Sequence, residues 1–373
     1  MAKPRRLLLP VLLMLQALSG CLSIPGGTSQ PVASAPGSGS SSQGPAPTSM
    51  VSAWRFKPTP QDEPRGVCTA SGSAEIYFTT RYGVTVLKPN GASRGYVEAR
   101  RLDGHRFAIG APLASPDGGS IFFSDWQQLV YLGLFSLDTG SRDLTKVPFD
   151  QDSPIAVDAH IGITAQAALS KDGSRVYLPS GDLYVYDLKT GKRAERHDMG
   201  GQARQIARLD DERFLVNLTQ EGDVRGSLAM FRASGDTGEI VDYPHPIHAI
   251  AARQDWAVGI AKLSDDTFQL VEVQATAGDS LAFKAGPTFA LTGDNEALEL
   301  SLAMRPAKQQ VAIGRTGPYP YGETKLVDAK DGAIATADTR DVAGLAFSPD
   351  GQALYVAHTL YPTISCLEAF IVP

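Results

Sequence analysis

One kind of tight turn recurs along this chain, and it restricts the fold more than any other feature. It appears as "SPDG" at Ser115–Gly118, "SKDG" at Ser170–Gly173 and "SPDG" at Ser348–Gly351. Proline at the second place presets φ, aspartate bonds to nearby backbone amides, and glycine accepts a positive φ, so each tetrapeptide specifies a reversal of the chain. Each is followed by an alternating run, "SIFFS", "RVYLPS" or "ALYVAH". A period of two in apolar and β-branched residues is the pattern of a strand. Weaker forms of the turn at Ser71–Ser73, Leu209–Arg213, Arg253–Asp255 and Arg305–Gln309 bring the number to seven.

A second turn lies between these. "LKPNGAS", "SLDTGSR", "YDLKTGKR", "SGDTGEI", "QATAGDS" and "DAKDGAI" place Gly91, Gly140, Gly191, Gly238, Gly278 and Gly332 at spacings of 40 to 54 residues. Such spacings fit blade-sized repeats with loops of variable length, and Asp/Asn/Thr-Gly at the apex suits hairpins. The two registers interleave until the last SPDG, after which the second turn is missing. The pattern predicts seven units of four strands, the last without its fourth. An orphan apolar segment, "MVSAWRFKP" (Met50–Pro58), precedes the first unit. If it supplies the missing strand, the first and last units lock and no sheet edge is left open. The expectation is an all-β, seven-bladed propeller of four-stranded antiparallel blades over residues 51–373, closed by an N-terminal strand. Degenerate turns in the fourth and fifth units leave six or eight blades as the alternative.

"AFSPDGQALYVAH" and "LSKDGSRVYLPS" resemble the repeats of YVTN and WD-type propellers, and "LYVYDLKTGKRAE" and "LFSLDTGSRDL" resemble the turns of quinoprotein-like blades. The resemblance covers nearly all of 51–373 and implies the fold. The WD dipeptide and the tryptophan that closes a quinoprotein blade are both missing, so it implies no pyrroloquinoline quinone and no other cofactor. A nonenzymatic protein of the quinoprotein-like group is a lipoprotein that scaffolds outer-membrane protein assembly, and the plan of this chain is similar.

The chain begins with Lys3, Arg5 and Arg6, then an apolar stretch from Leu7 to Leu18 that is short for a membrane span and ends in small residues. This is the layout of a signal peptide, here residues 1–20. Leu18-Ser19-Gly20-Cys21 resembles the lipobox of bacterial lipoproteins, which implies cleavage between Gly20 and Cys21 and acylation (palmitate among the chains) of the Cys21 thiol. Leu22 and Ser23 follow the cysteine, which resembles the outer-membrane pattern. The expected location is therefore the cell envelope, lipid-anchored in the outer membrane and facing the periplasm. Residues 21–50 hold Ser, Gly, Pro, Ala and Thr with almost no charge, so they cannot bury enough surface to offset ordering and are expected to form a disordered tether.

Loss of the three basic residues with the signal takes the formal net charge from −6 to −9. Outside the signal the basic residues are scattered, with no run longer than pairs such as Arg100-Arg101 and Lys192-Arg193, which argues against nucleic acid as partner. With Cys21 acylated, Cys68 and Cys366 remain. An even pair in an oxidising compartment invites a disulfide; two independent buried thiols are the other reading.

The sequence holds little that points to chemistry. Gly91-Ala92-Ser93-Arg94-Gly95 has G-x-S-x-G spacing but falls in an expected hairpin, where that motif needs a strand-to-helix elbow. His245 and His248 have H-x-x-H spacing, and His160 falls in the equivalent connection of an earlier unit. On a strand, positions three apart point to opposite faces, so no metal set is expected. The fold is shared with propeller lactonases, yet no catalytic residue set of theirs maps onto this chain. Trp126, Tyr131, Tyr319, Tyr321 and Tyr361 fall in connections between second and third strands, where strand periodicity does not require them. Aromatic residues on such a face favour a binding surface, and cover over the blade ends is the other use for them. The expected function is a membrane-anchored scaffold with an envelope protein partner; a lactonase-like or other sugar-processing enzyme is the alternative.

Overall fold

The computed structural model describes residues 48–58, 62–100, 108–124, 134–147, 166–219, 225–254, 256–275, 280–291, 299–316, 323–360 and 364–373. Strand pairing begins with β1 (Thr48–Ser49) and β2 (Val51–Phe56). Blade 1 is β3 (Pro64–Thr69), β4 (Ile76–Thr80), β5 (Gly83–Leu87) and β6 (Ser93–Glu98); blade 2 is β7 (Leu113–Ala114), β8 (Ser120–Ser124), β9 (Leu134–Asp138) and β10 (Leu144–Val147). Blade 3 is β11 (Ala168–Leu169), β12 (Arg175–Ser180), β13 (Asp182–Asp187) and β14 (Arg193–His197). Blade 4 is β15 (Gln202–Arg208), β16 (Arg213–Thr219), β17 (Gly226–Arg232) and β18 (Thr237–Tyr243). Blade 5 is β19 (Ile247–Arg253), β20 (Trp256–Lys262), β21 (Thr267–Ala275) and β22 (Leu281–Ala290). Blade 6 is β23 (Glu299–Met304), β24 (Gln310–Thr316), β25 (Thr324–Asp328) and β26 (Ile334–Ala337). Blade 7 is β27 (Val342–Phe347), β28 (Ala353–Leu360) and β29 (Ile364–Ile371), completed by β2. The blade count is seven, which removes the six- and eight-bladed alternatives.

Each blade is a meander because each tight turn has its own hydrogen-bond lock. In blade 2, Gly118 N donates to Ser115 O (2.9 Å), Ser115 Oγ donates to Asp117 Oδ1 (2.6 Å), and Gly119 N donates to the same carboxylate oxygen (2.9 Å). The "SKDG" and second "SPDG" turns repeat the scheme, with Gly173 and Gly351 at φ 68° and 69°. All seven of these turns fall between the first and second strands, as read from sequence. Of the second set, Gly91, Gly140, Gly191 and Gly332 lie in third-to-fourth-strand turns, and Gly278 lies outside the described residues. Gly238 does not fit: it lies within β18, and the turn is made three residues earlier by Gly235 at φ 100°. "SGDTGEI" holds two glycines, and only the first stands where the chain reverses.

Both faces of a blade are covered, so the middle strands lose the polar alternation of a half-exposed sheet. All five residues of β4 are buried; Ile76 and Phe78 pack toward blade 7 and Tyr77 toward blade 2. Seven apolar clusters result, one at each interface between neighbouring blades, the interface of blade 7 with blade 1 included. Burying a Phe, Leu or Ile side chain contributes about 1.5–3 kcal/mol, so the ring is held by these layers and not by its turns. First strands of neighbouring blades touch (β15 with β19, β19 with β23, β23 with β27, β27 with β3), which places them inside and fourth strands at the rim.

Closure follows the expected route. β2 pairs antiparallel with β29 as the fourth strand of blade 7. The sequence does not announce β1, which adds in parallel to the outer edge of β26 in blade 6. The segment therefore straps two blades. Trp54 also reaches a third: its Nε1 donates to Pro89 O of blade 1 (2.8 Å) while its ring lies 5.9 Å from Tyr355.

Candidate functional site

The two ends of the ring differ in what connects the strands. On one end every connection, from first to second strand or from third to fourth, has six residues or fewer. On the other end they run up to 9 residues between second and third strands (125–133) and up to 20 between blades (148–167). Most of the binding residues anticipated from sequence belong to these connections. Trp126, Tyr131, His160, Tyr319, Tyr321 and Tyr361 lie outside the described residues, as do Gly20 and Cys21. On the same end, an open groove of about 550 Å³ between blades 3 and 4 is lined by Asp182, Asp198, Gly200, Gln202 and Thr219, among others.

The two remaining candidates are described. His245 is half-buried in the short connection between β18 and β19, with its ring 6.2 Å from that of Tyr243. His248 is on β19, and the surrounding protein and the Lys262 ammonium push its imidazole below its usual pKa. Neither belongs to a group of three potential metal-ligating side chains within reach of one another among the described residues.

Cys68 and Cys366 are both free, which agrees with the second of the two readings, independent thiols, and not with a disulfide. Strand alternation supplies the reason. Cys68 on β3 packs with the cluster between blades 1 and 2. On β29, Leu367 and Ala369 face blade 1 and Phe370 faces blade 6, so Cys366 shares the blade 6 face with Phe370. Two sheets stand between the thiols.

Cys366 instead belongs to a buried polar row that sequence reasoning missed. In the hairpin of β28 and β29, His358 pairs with Cys366 and Val356 with Glu368; from the other side, Arg55 of β2 pairs with Glu368. Arg55 grips the carboxylate with both arms of its guanidinium, Nε to Oε2 and Nη2 to Oε1, each at 2.9 Å. His358 Nε2 lies 3.3 Å from Glu368 Oε2, and both side chains are 1% exposed. Burial raises the Glu368 pKa, but hydrogen bonds from His358, Ser52 and Arg55 outweigh it and bring the carboxyl down to about 2. Burial pushes the Cys366 thiol up to about 12.

With Nε2 donating to the carboxylate, the imidazole's lone pair sits on Nδ1, and this buried atom has no hydrogen-bond partner. A buried acceptor left without a donor costs about 1–3 kcal/mol. One ligand atom each from His358, Cys366 and Glu368 lie within 4.8 Å of one another, the one such group among the described residues. A signal for it exists in the sequence. A hairpin that pairs Leu360 with Ile364 places residue 358 opposite 366, and 366 and 368 share a face; neither step can be taken before the register is known.

No protein-family model matches this chain, and no curated protein does. Among solved structures, the chain is similar to Kuenenia stuttgartiensis hydrazine synthase, with a TM-score of 0.60 at 13% identity over 81% of this chain and 94% of that one. It is also similar to a chain in the crystal structure of the mitotic checkpoint complex, with a TM-score of 0.59 at 10% identity over 96% and 99%. At such identities the likeness is one of fold: this chain is a seven-bladed β-propeller.

Proposed function

We propose that this protein is an envelope lipoprotein, held to the membrane through acylated Cys21, whose propeller serves as a rigid scaffold for a protein partner. The observation that carries the binding role is the difference between the two ends of the ring. One end is restricted to turns of six residues or fewer, and the other bears connections of up to 20. Long connections on a rigid frame are where binding residues concentrate, and the groove between blades 3 and 4 opens there. In the sequence, Tyr319 and Tyr321 fall between β24 and β25, and Tyr361 between β28 and β29. Anchoring rests on the sequence from Leu7 to Cys21, since several acyl chains at about 0.8 kcal/mol per buried methylene hold a protein on a bilayer without a spanning helix.

In-cell cross-linking, followed by purification from solubilised envelopes, tests the scaffold. The expected result is one stoichiometric envelope partner, lost on Tyr319→Ser with Tyr321→Ser while the fold is kept. A folded protein that purifies alone refutes the scaffold and directs attention to ligand and lactone-hydrolysis screens. Labelling with palmitate tests the anchor separately: Cys21→Ser is expected to abolish incorporation, and label retained in that variant refutes the lipid-anchor reading.

A further inference from the structure

We propose that His358, Cys366 and Glu368 bind one divalent transition-metal ion of the zinc class, in the seam between blades 6 and 7. Three observations carry this. The three side chains come from two strands whose register is continuous, so their backbones are fixed relative to one another. Their ligand atoms lie within 4.8 Å of one another, and all three residues are buried. His358 Nε2 and Glu368 Oε2 lie 3.3 Å apart, the separation that two ligand atoms have on one tetrahedral ion with bonds of about 2.0–2.1 Å.

Structural pairing accounts for only part of the row. The half-exposed Arg55 and the buried Glu368 complete an ion pair without help, and it would lock β2 onto β29 whatever stood at 358 and 366. A buried imidazole and a thiol directly opposite it are then unexplained; two aliphatic side chains would fill that face at lower cost. A cation accounts for both: it takes the place of the proton between His358 Nε2 and Glu368 Oε2, with the Cys366 sulfur as a third ligand.

The donor set selects the ion. One nitrogen, one sulfur and one carboxylate oxygen suit zinc and its neighbours, which accept mixed ligands at four-coordinate sites. Calcium and magnesium require shells of six or more oxygens, and this seam does not offer them. With the thiol ionised, the thiolate and carboxylate bring two negative charges to the ion, and the Arg55 guanidinium, half-exposed, keeps its access to solvent. Arg55 keeps its place in this arrangement, because each carboxylate oxygen accepts more than one bond and an oriented carboxylate is a better ligand than a mobile one. Three protein ligands leave a fourth position for water.

The test uses the full-length protein, purified in detergent and stripped with a chelator. Titration with Zn²⁺ against a chromophoric competitor is expected to show one ion per chain, with affinity at least about tenfold weaker in Cys366→Ser and in His358→Gln, ligand loss being no milder than loss of a supporting bond. Cys68→Ser and His248→Ala are expected to bind as the parent does. Absence of binding in the parent overturns the proposal. So does unchanged binding in Cys366→Ser, including the case where His248→Ala abolishes it and so places the ion on β19. Should the Cys366 and His358 variants fold poorly, the Co²⁺ spectrum of the unaltered protein decides. A sulfur-to-cobalt charge-transfer band that survives Cys68→Ser is expected, and bound cobalt without that band overturns the site.

Discussion

Blade 3 and blade 7 reach the same four-stranded form by different routes, and their charged residues differ accordingly. In blade 3 the four strands follow one another, and the outer strand β14 is set by a turn in which Asp187 Oδ1 accepts from Thr190 N (2.7 Å) and Thr190 Oγ1 (2.8 Å). Its ion pairs, Arg175 with Glu195 and Arg196 with Asp182, sit in solvent, the least exposed partner being Asp182 at 21%. In blade 7 the outer strand arrives from the far end of the chain and no turn sets its register. There the pair is Arg55 with Glu368, and the carboxylate is 1% exposed. A one-residue slip would turn the Arg55 side chain to the other face and leave Glu368 buried without its cation. Where a turn specifies the pairing, charge can stay decorative; where none does, a buried pair takes over that task.

The largest effect on this comparison is expected from removing the strap. Deleting residues 48–56 takes away β1, β2, the Trp54 bond to Pro89 and the Arg55 clamp, and exposes the edge of β29. Thermal unfolding followed by circular dichroism is expected to lose its single cooperative transition; a variant that melts like the parent would show that closure contributes nothing. Next comes Arg55→Met. Breaking a fully buried pair costs about 3–5 kcal/mol, and because the guanidinium is half-exposed we expect about 2–3 kcal/mol by denaturant titration. The linked pH effect has a definite sign. The Glu368 pKa is lowered from 4.5 to about 2 on folding, so its contribution is present above 4.5 and fades as pH falls toward 2. The stability difference between parent and Arg55→Met should therefore narrow across that window. A gap that stays constant there would locate the stabilisation elsewhere.

The contrast also explains what could be read in advance. The blade count was legible because every "SPDG"-type turn depends on local bonds that need only four or five consecutive residues. Closure by Met50–Pro58 was legible by elimination, since one segment lacked a partner and one blade lacked a strand. The polar row was not, although "YVAH", "SCLEAF" and "AWRF" were all in view. Its chemistry arises only when residues 55, 358, 366 and 368 meet, and that requires two registers which no turn motif specifies. The same limit left the two readings of the cysteines open. Cys68 and Cys366 both lie near the closing seam, but which way each points depends on alternation within a register that was still unknown. The misplaced apex at Gly238 has a more local cause, two glycines three residues apart with equal title to the turn.

Turns themselves should divide by surroundings rather than by motif. Gly118 and Gly173 occupy the same place in equivalent turns, at φ 73° and 68°. A Cβ at Gly118 would meet the Ser71 carbonyl oxygen of blade 1 well inside contact distance, whereas at Gly173 the nearest atom, Pro116 Cδ, is 3.6 Å away. Gly173→Ala thus carries only the backbone cost of a left-handed residue, about 1 kcal/mol. Gly118→Ala adds a displacement between blades 1 and 2 and is expected to cost about 2 kcal/mol. Equal losses in the two variants would mean that the blades part at Ser71 without resistance.

The smallest effect should come from blade 3. Arg196 donates from Nε to Asp182 Oδ2 at 2.5 Å and lies over the Tyr184 ring, 5.9 Å from its centroid. By distance this contact is tighter than the Arg55 clamp, and a reading based on distance alone would rank it higher. Its side chain, however, is 62% exposed, so water competes for both partners and salt screens what remains. Arg196→Met keeps the stem over the ring and is expected to unfold within a smaller interval of the parent than either glycine variant. High salt should erase even that difference, while the deficit of Arg55→Met should persist, because Glu368 has no access to the counterions. If Arg196→Met proves as costly as Arg55→Met, or if salt relieves both alike, burial is not what separates the two pairs. The assignment of strand register to the buried one then fails.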